Sequence, residues 1–263
     1  QFLVPALTRD QLEEVIRNPI EKAGAVITPD LVERLLNDCS NELDQLPVLP
    51  HCLLRLWEEA GREQLKPKAV AQSGPVAPGS DATPRPTRVL TVSHYQAIGG
   101  FANALSQHAN DVLNELEVRT FSAPSNDVLR VVLADKEGRA VRRALPYSQL
   151  LEETGVSDTD LRQVLDRFRA DDCSFLVPPR YEQPVIAAAT RIDVGHEAFL
   201  RRWEKTSGRG ADIGWLRAEQ LDGERYRALL AMAENETGIL PPHLVDERWA
   251  WWSSRQRTPA WAE

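Results

Sequence analysis

The stretch Ile192-Asp193-Val194-Gly195-His196-Glu197-Ala198-Phe199-Leu200-Arg201-Arg202-Trp203 constrains the fold more than any other part of the chain. A β-branched strand ends, a His-Glu pair follows, and an amphipathic helix begins at once. A histidine at such a junction can aim its ring at an anion, and a helix N-terminus favours negative charge nearby. The same pair also reads as an N-cap followed by a solvated first-turn carboxylate. Zinc chemistry fits poorly, because H-E-x-x-H needs a second histidine where Leu200 stands.

At 263 residues the chain is long enough for one large or two small domains with a real core. Its formal charge of -8 and isoelectric point near 5.3 argue against a dedicated nucleic-acid binder and against an anionic membrane surface. Cys39, Cys52 and Cys173 form no C-x-x-C and read as buried thiols of a reducing compartment. No run of 18 apolar residues and no secretory segment occurs, so the expectation is a cytoplasmic protein without a membrane span. Trp249, Trp251, Trp252 and Trp261 crowd the last fifteen residues, which points to a surface covered by further chain.

Residues 1–61 read as three helices. Thr8-Arg9-Asp10-Gln11 is a capping box, with Leu12, Val15 and Ile16 behind it and Asn18-Pro19 as the stop. Thr28-Pro29-Asp30 opens a second helix with Leu31, Leu35 and Leu36 facing inward. A third, over 44–60, carries the stripe Leu46, Leu49, Leu53, Leu56 and Trp57; Pro47 suits its opening turn, and Pro50 predicts an irregular or kinked start. Residues 62–92 then read as a linker, whose centre is rich in Pro, Gly, Ser, Ala and Thr and poor in large apolar side chains.

Ser93-His94-Tyr95-Gln96 is a second capping box, and Ile98, Phe101, Leu105, Ala109, Val112 and Leu116 predict one long helix behind it. Gly99-Gly100 inside that helix costs about 2 kcal/mol, which predicts a close packing partner. A shorter helix over 127–134, a short strand over 139–145 and a helix over 146–153 follow. Ser157 caps a helix over 158–170, and strands over 174–177 and 185–194 form a hairpin. Helices followed by a two-stranded hairpin give a winged-helix arrangement over 93–210. Residues 211–263 are a helical tail broken at Pro241-Pro242, with an apolar stripe through Leu216, Leu229 and Met232. The fold class is mostly α, with a helical lid bundle, a winged helix bearing a short β-hairpin, and a helical tail.

This order resembles the C-terminal half of a bacterial STAND NTPase, the signal-transduction ATPases that include the NACHT and NB-ARC switches. Phe2-Leu3-Val4-Pro5-Ala6-Leu7-Thr8 looks like the segment leaving a nucleotide-binding core. Leu46-Pro47-Val48-Leu49-Pro50 looks like the L-P-L-L stretch related to G-L-P-L, and Tyr95-Gln96-Ala97-Ile98-Gly99-Gly100 looks like Y-x-x-I-G-G. Arg142-Arg143 resembles an R-R pair before the first winged-helix strand. His196-Glu197-Ala198-Phe199-Leu200-Arg201-Arg202-Trp203 is similar to H-E-A-L-I-R-R-W, with Phe199 and Leu200 departing from it. The likeness covers residues 1–235, and the order of the five anchors is its specific part.

The resemblance implies a helical lid and a winged helix that close over ADP held on a P-loop core. His196 would contact the β-phosphate and hold the off state, and Pro47 would lie against the adenine. Exchange to ATP would swing the winged helix away and expose an oligomerisation surface. The implied partners are a P-loop core, downstream sensor repeats reached through 211–263, and further copies on activation. The chain contains no G-x-x-x-x-G-K-[ST], so no phosphoryl transfer is expected from it alone, and ADP or ATP is expected only with that core; no metal is expected.

Three other readings compete. A winged-helix DNA-binding regulator would use Arg162, Arg167 and Arg169, but Asp158, Asp160, Asp166, Asp171 and Asp172 crowd the same region and repel a duplex. A hydrolase on His196 and Glu197 lacks a G-x-S-x-G elbow, since Ser93 and Ser157 read as caps. A nucleotide-independent interaction scaffold overlaps the switch reading. His51, His94, His108 and His243 sit singly, without ligand spacing, and Arg142-Arg143 and Arg201-Arg202 read by default as solvated pairs.

Overall fold

A computed structural model describes residues 7–39, 44–65, 87–119, 125–134, 139–234, 240–255 and 257–262. The expected opening segment Phe2 to Ala6 and most of the expected linker lie outside these residues. Two compact units are present, Gln1–Leu105 and Ser106–Glu263.

In the first unit, α1 (Arg9–Lys22) starts from the capping box read in the sequence: Gln11 N–H donates to Thr8 Oγ1 (3.3 Å) and Thr8 N–H to Gln11 Oε1 (2.9 Å). Pro19 does not end the helix. It removes one backbone bond, while continuing for a further turn buries Ile20 beside Leu12 and Ile16. Strand β1 (Val26–Ile27) leads to α2 (Pro29–Cys39), which has Pro29 at its first position and buries Leu31, Val32, Leu35, Leu36 and Cys39.

Helix α3 (Gln45–Leu65) contains both Pro47 and Pro50. Pro47 falls in the first turn, where its missing N–H has no helical partner to lose; Pro50 costs the bond to the Leu46 carbonyl. The buried face is rotated from the expected stripe: Val48 and Cys52 are buried with Leu49, Leu53 and Leu56, whereas Leu46 is 57% exposed and Trp57 half-buried.

Strand β2 (Val89–Leu90) pairs in parallel with β1, Val26 opposite Val89 and Ile27 opposite Leu90. The end of the expected linker and the residues after 93 therefore belong to the first unit. Helix α4 (Val92–Ala97) is capped by Thr91 rather than Ser93, which sits inside it; Thr91 N–H donates to His94 Nδ1 (3.2 Å). With Nδ1 an acceptor, His94 Nε2 carries the proton that meets Glu63 at 2.5 Å.

The expected single long helix is two. Gly99 (φ 82°) and Gly100 (φ 68°) adopt the left-handed region and break it, so α5 (Gly100–Arg119) starts anew. The Tyr95 hydroxyl spans the break, accepting from Phe101 N–H (2.7 Å) and donating to Asp38 (2.7 Å). The glycine pair thus serves as a hinge geometry, not as a helix interior. The two units divide within α5, between Leu105 and Ser106.

The second unit continues with α6 (Ser125–Leu133), β3 (Leu145–Pro146), α7 (Tyr147–Thr154), α8 (Asp158–Phe168), β4 (Leu176–Val177) and β5 (Arg191–Val194). Ser157 caps α8 as read, its Oγ accepting from Asp160 N–H at 3.1 Å. Among the described residues the three expected strands are present but shorter than expected. The sheet order is β3-β5-β4, with both pairings antiparallel: Leu145 faces Ile192, and Leu176 faces Val194. Residues 185–190 do not extend β5, because Thr190 Oγ1 accepts from Ala187 N–H (2.9 Å) and Thr190 N–H donates to the Ala187 carbonyl (2.9 Å). That local turn occupies groups a ladder would need.

After β5 come α9 (Glu197–Arg202), α10 (Glu204–Ser207), α11 (Gly214–Glu234), α12 (Pro242–Ser253) and α13 (Pro259–Ala262). Beneath α9 runs an aromatic column. Phe175 stacks on Phe199 at 4.5 Å, Phe199 on Trp203 at 5.1 Å, and Trp215 meets Trp203 edge-on at 5.0 Å. Trp203 is fully buried, and its indole N–H donates to Asn110 Oδ1 (2.8 Å). Trp203→Ala should lower stability by about 3–5 kcal/mol, read as a reduced urea midpoint of the second unit; an unchanged midpoint would show that the column is not what holds α9.

Candidate functional site

Gly195 links β5 to α9 by close approach. Its N–H donates to the Phe175 carbonyl (2.8 Å), and a Cβ at this position would sit 2.9 Å from the Ser174 carbonyl oxygen. Only glycine lets the chain turn there without pushing β4 away. His196 follows with extended backbone (φ -154°, ψ 144°) and is the N-cap of α9.

The His196 ring is exposed, and its Nδ1 accepts from Ala198 N–H at 3.0 Å. A backbone amide can only donate, so Nδ1 is unprotonated and the neutral ring carries its proton on Nε2. The capping reading of His196 therefore holds, and it leaves Nε2–H as an outward donor. Ala198, Phe199 and Leu200 are buried behind it, while Glu197 is half-buried in the first turn.

Arg142-Arg143 is engaged within the chain. Arg142 pairs with Asp193 on β5 (2.7 Å), and one nitrogen of Arg143 donates to both Glu153 oxygens (2.7 and 2.8 Å). The α8 arginines are engaged as well. Arg162 holds Asp158 and the Ile186 carbonyl (2.7 Å each), and Arg167 holds Glu115 and Asp172 (3.0 Å each). Arg169 is fully buried against Asp166 and the carbonyls of Pro178 and Gln183. A duplex would have to displace these partners.

Pro47 lies half-buried in the first turn of α3, in the first unit, whereas His196 belongs to the second. A hollow of about 290 Å³ in the first unit is lined by Arg34, Asp38, Tyr95 and the 99–102 backbone, with Arg34 Nε on Asp38 at 2.8 Å. Tyr95 was legible as part of Y-x-x-I-G-G; Asp38 carried no sequence signal beyond its position late in a helix. Among the described residues no group of three or more His, Cys, Asp or Glu side chains is placed to hold a metal ion. None of the three cysteines is in a disulfide and all are buried, and burial pushes the Cys173 thiol up to about 12, which makes it a poor nucleophile.

The tail holds a cluster that periodicity concealed. On α11 the buried side carries Glu219 and Asp222 with Leu216, while Leu229 is half-buried and Met232 is 43% exposed. Asp222 accepts from the Trp251 indole (2.7 Å) and Glu219 from the Trp261 indole (2.8 Å); Arg130, Arg255 and Arg257 pair with the same acids. Burial raises the Asp222 carboxyl, but the Trp251 hydrogen bond and the arginines outweigh it and hold the group below the ordinary range. Trp249, at 70%, and Trp252, at 39%, remain exposed.

A family model described as Novel STAND NTPase 1 matches residues 1–234. The chain belongs to the novel STAND NTPase family of signalling ATPases. No curated protein and no solved structure matches it. Among the described residues no helix is long and apolar enough to cross a membrane.

His51, on α3, is the histidine whose acidity departs most clearly. Burial, reinforced by the neighbouring Arg55 charge, pushes its imidazole down from 6.5 to about 4. The unfolded chain then binds a proton that the fold refuses, so stability is intact above pH 6.5 and declines as pH falls towards 4. His51→Asn should flatten that part of the pH–stability curve in urea titrations; an unaltered slope would assign the loss to other groups.

Proposed function

We propose that this chain is the regulatory arm, a lid plus winged helix, of a STAND-type ATPase switch that holds ADP in the off state and couples sensing to oligomerisation. The observation that carries the reading is the pinned His196 ring within a chain of this family. Its Nδ1 is committed to the α9 cap, so its one remaining donor, Nε2–H, has a fixed direction and suits a phosphate oxygen. The winged-helix reading of the second unit is supported by the order α6, β3, α7, α8, β4, β5 and by a sheet in which β5 is central.

ADP in this reading rests on a P-loop core that the 263 residues do not contain, with Pro47 against the adenine and His196 at the β-phosphate. Differential contact with ADP and ATP is what shifts the balance between closed and open states. The chain hydrolyses no nucleotide by itself; its partners are that core, sensor repeats and further copies of the switch, in the cytoplasm. The DNA-binding alternative is weaker, because it needs the arginines that α8 already spends on Asp158, Asp166 and Asp172.

Two substitutions separate the cap from the sensor in the polypeptide that carries this chain together with its P-loop core. His196→Ala removes both the cap, at about 1 kcal/mol, and the Nε2 donor. His196→Asn restores a capping oxygen without the imidazole. Both should release ADP about tenfold faster and raise basal oligomerisation, the loss of one good hydrogen bond, while only the alanine variant loses stability. Wild-type ADP release from His196→Asn would sink the sensor assignment and leave His196 as a cap.

A further inference from the structure

The family match ends at residue 234, yet residues 240–255 and 257–262 are fastened to the body of the second unit by a dense set of polar contacts. Helix α12 buries none of its residues, and Trp249 on it is 70% exposed. It is held on α11 by the Trp251 indole on Asp222, by the Tyr226 ring stacked on Trp252 (6.1 Å), by Arg225 over Trp251 (5.4 Å), and by Arg257, which reaches both Asp222 (3.2 Å) and the carbonyls of Trp251 (2.7 Å) and Trp252 (2.9 Å). Past it, Arg255 meets Glu219 (2.6 Å), Trp261 donates to Glu219, and Thr258 Oγ1 donates to the Glu153 carbonyl of α7 (2.9 Å).

Part of the seat for this segment stands without it. Arg130 on α6 already pairs with both Glu219 and Asp222, so three guanidinium groups share two carboxylates when the segment is docked. The excess charge rests on rings: Arg257 lies over Trp251 (4.3 Å) and Arg255 over Trp261 (5.0 Å). Both added arginines are buried with Nε–H groups that find no acceptor. Arg130 alone balances one of the two carboxylates, so docking carries the cluster from a net charge of -1 to +1 and leaves two buried Nε–H donors unmet, a cost that opposes it.

We propose that residues 240–255 and 257–262 form a releasable strap, clasped to α11 through Glu219 and Asp222 and to α7 through the Glu153 carbonyl, which opens as one unit while the rest of the second unit stays folded. The strap covers the acid pair when closed and presents it, with Arg130 alone, when open. A twelve-residue helix holds little structure by itself in water, so the released α12 loses its protection. This inference stands apart from the nucleotide reading, because it involves neither His196 nor Pro47.

Hydrogen exchange on the whole 263-residue chain, read peptide by peptide, tests it. The double variant Arg255→Gln with Arg257→Gln keeps Arg130 on both acids, and should speed exchange over α12 at least about tenfold. Peptides covering α9 and the Phe199–Trp203 stack should keep wild-type rates. In the unaltered chain, raising salt to about 1 M, where screening acts over about 3 Å, should speed exchange over 240–262 in the same selective way. Wild-type protection of α12 in the variant and at high salt would overturn the proposal, showing the segment held by its indoles and packing. Loss of protection across the second unit together with α12 would overturn it too, making the segment an integral part of that fold.

Discussion

The second unit depends on how closely residue 195 approaches the strand before it. The Phe175 carbonyl accepts the Gly195 N–H, while the Phe175 ring stacks on Phe199 four residues further along at 4.5 Å. One residue thus anchors the end of β5 by its backbone and the start of α9 by its side chain. With that angle fixed, Phe199 and Trp203 continue the stack and the Asn110 amide oxygen closes it. A side chain at 195 would force the carbonyl of Ser174 away and take the Phe175 ring with it. Aromatic burial on this scale outweighs any single polar contact in the unit.

The helices were legible because each carried its own start signal and a buried face: Thr8 with Gln11, Pro29, and Ser157 behave as their residue types require. What the pattern misplaced were features decided by tertiary partners. Ser93 and Thr91 are both competent caps, and the choice fell to Thr91 because His94 reaches back to it while holding Glu63 on its other nitrogen. Gly99-Gly100 reads as a tolerated helix interior until Tyr95 is seen bridging Asp38 and the Phe101 amide across a break. The apolar stripe of α11 concealed its important residues, since Glu219 and Asp222 are buried by arginines and indoles supplied from elsewhere in the chain. No local periodicity carries that information.

Arginine pairs illustrate the same limit. In sequence, Arg142-Arg143 resembles a recurrent pair, and Arg162, Arg167 and Arg169 offer a polyanion set crowded by acids. Acids within reach decide otherwise: Asp193, Glu153, Asp158, Asp166, Asp172 and Glu115 occupy them all. Half-buried pairs of this kind add little to stability when made, and cost more when one partner is removed. Arg142 and Arg143 tie the segment before β3 to β5 and to α7, Arg167 ties α8 to α5, and together the pairs leave the surface of α8 without a free set of cations for a polyanion.

His196 shows that a structural and a chemical role need not compete. A cap uses one ring nitrogen as an acceptor; a phosphate contact uses the other as a donor. Because the Ala198 amide occupies Nδ1, the proton is forced onto Nε2, and the tautomer a donor needs is set by the fold itself rather than by the ligand. A free surface histidine would divide between tautomers and rotamers, and binding would bear the cost of selecting one. On the proposed reading, the six-residue helix α9 serves mainly to hold that ring: its own buried face, Ala198, Phe199 and Leu200, ties it to the aromatic column, so a displacement of the column moves the donor with it. The cap is then the means by which packing in the core would be transmitted to a phosphate contact outside it.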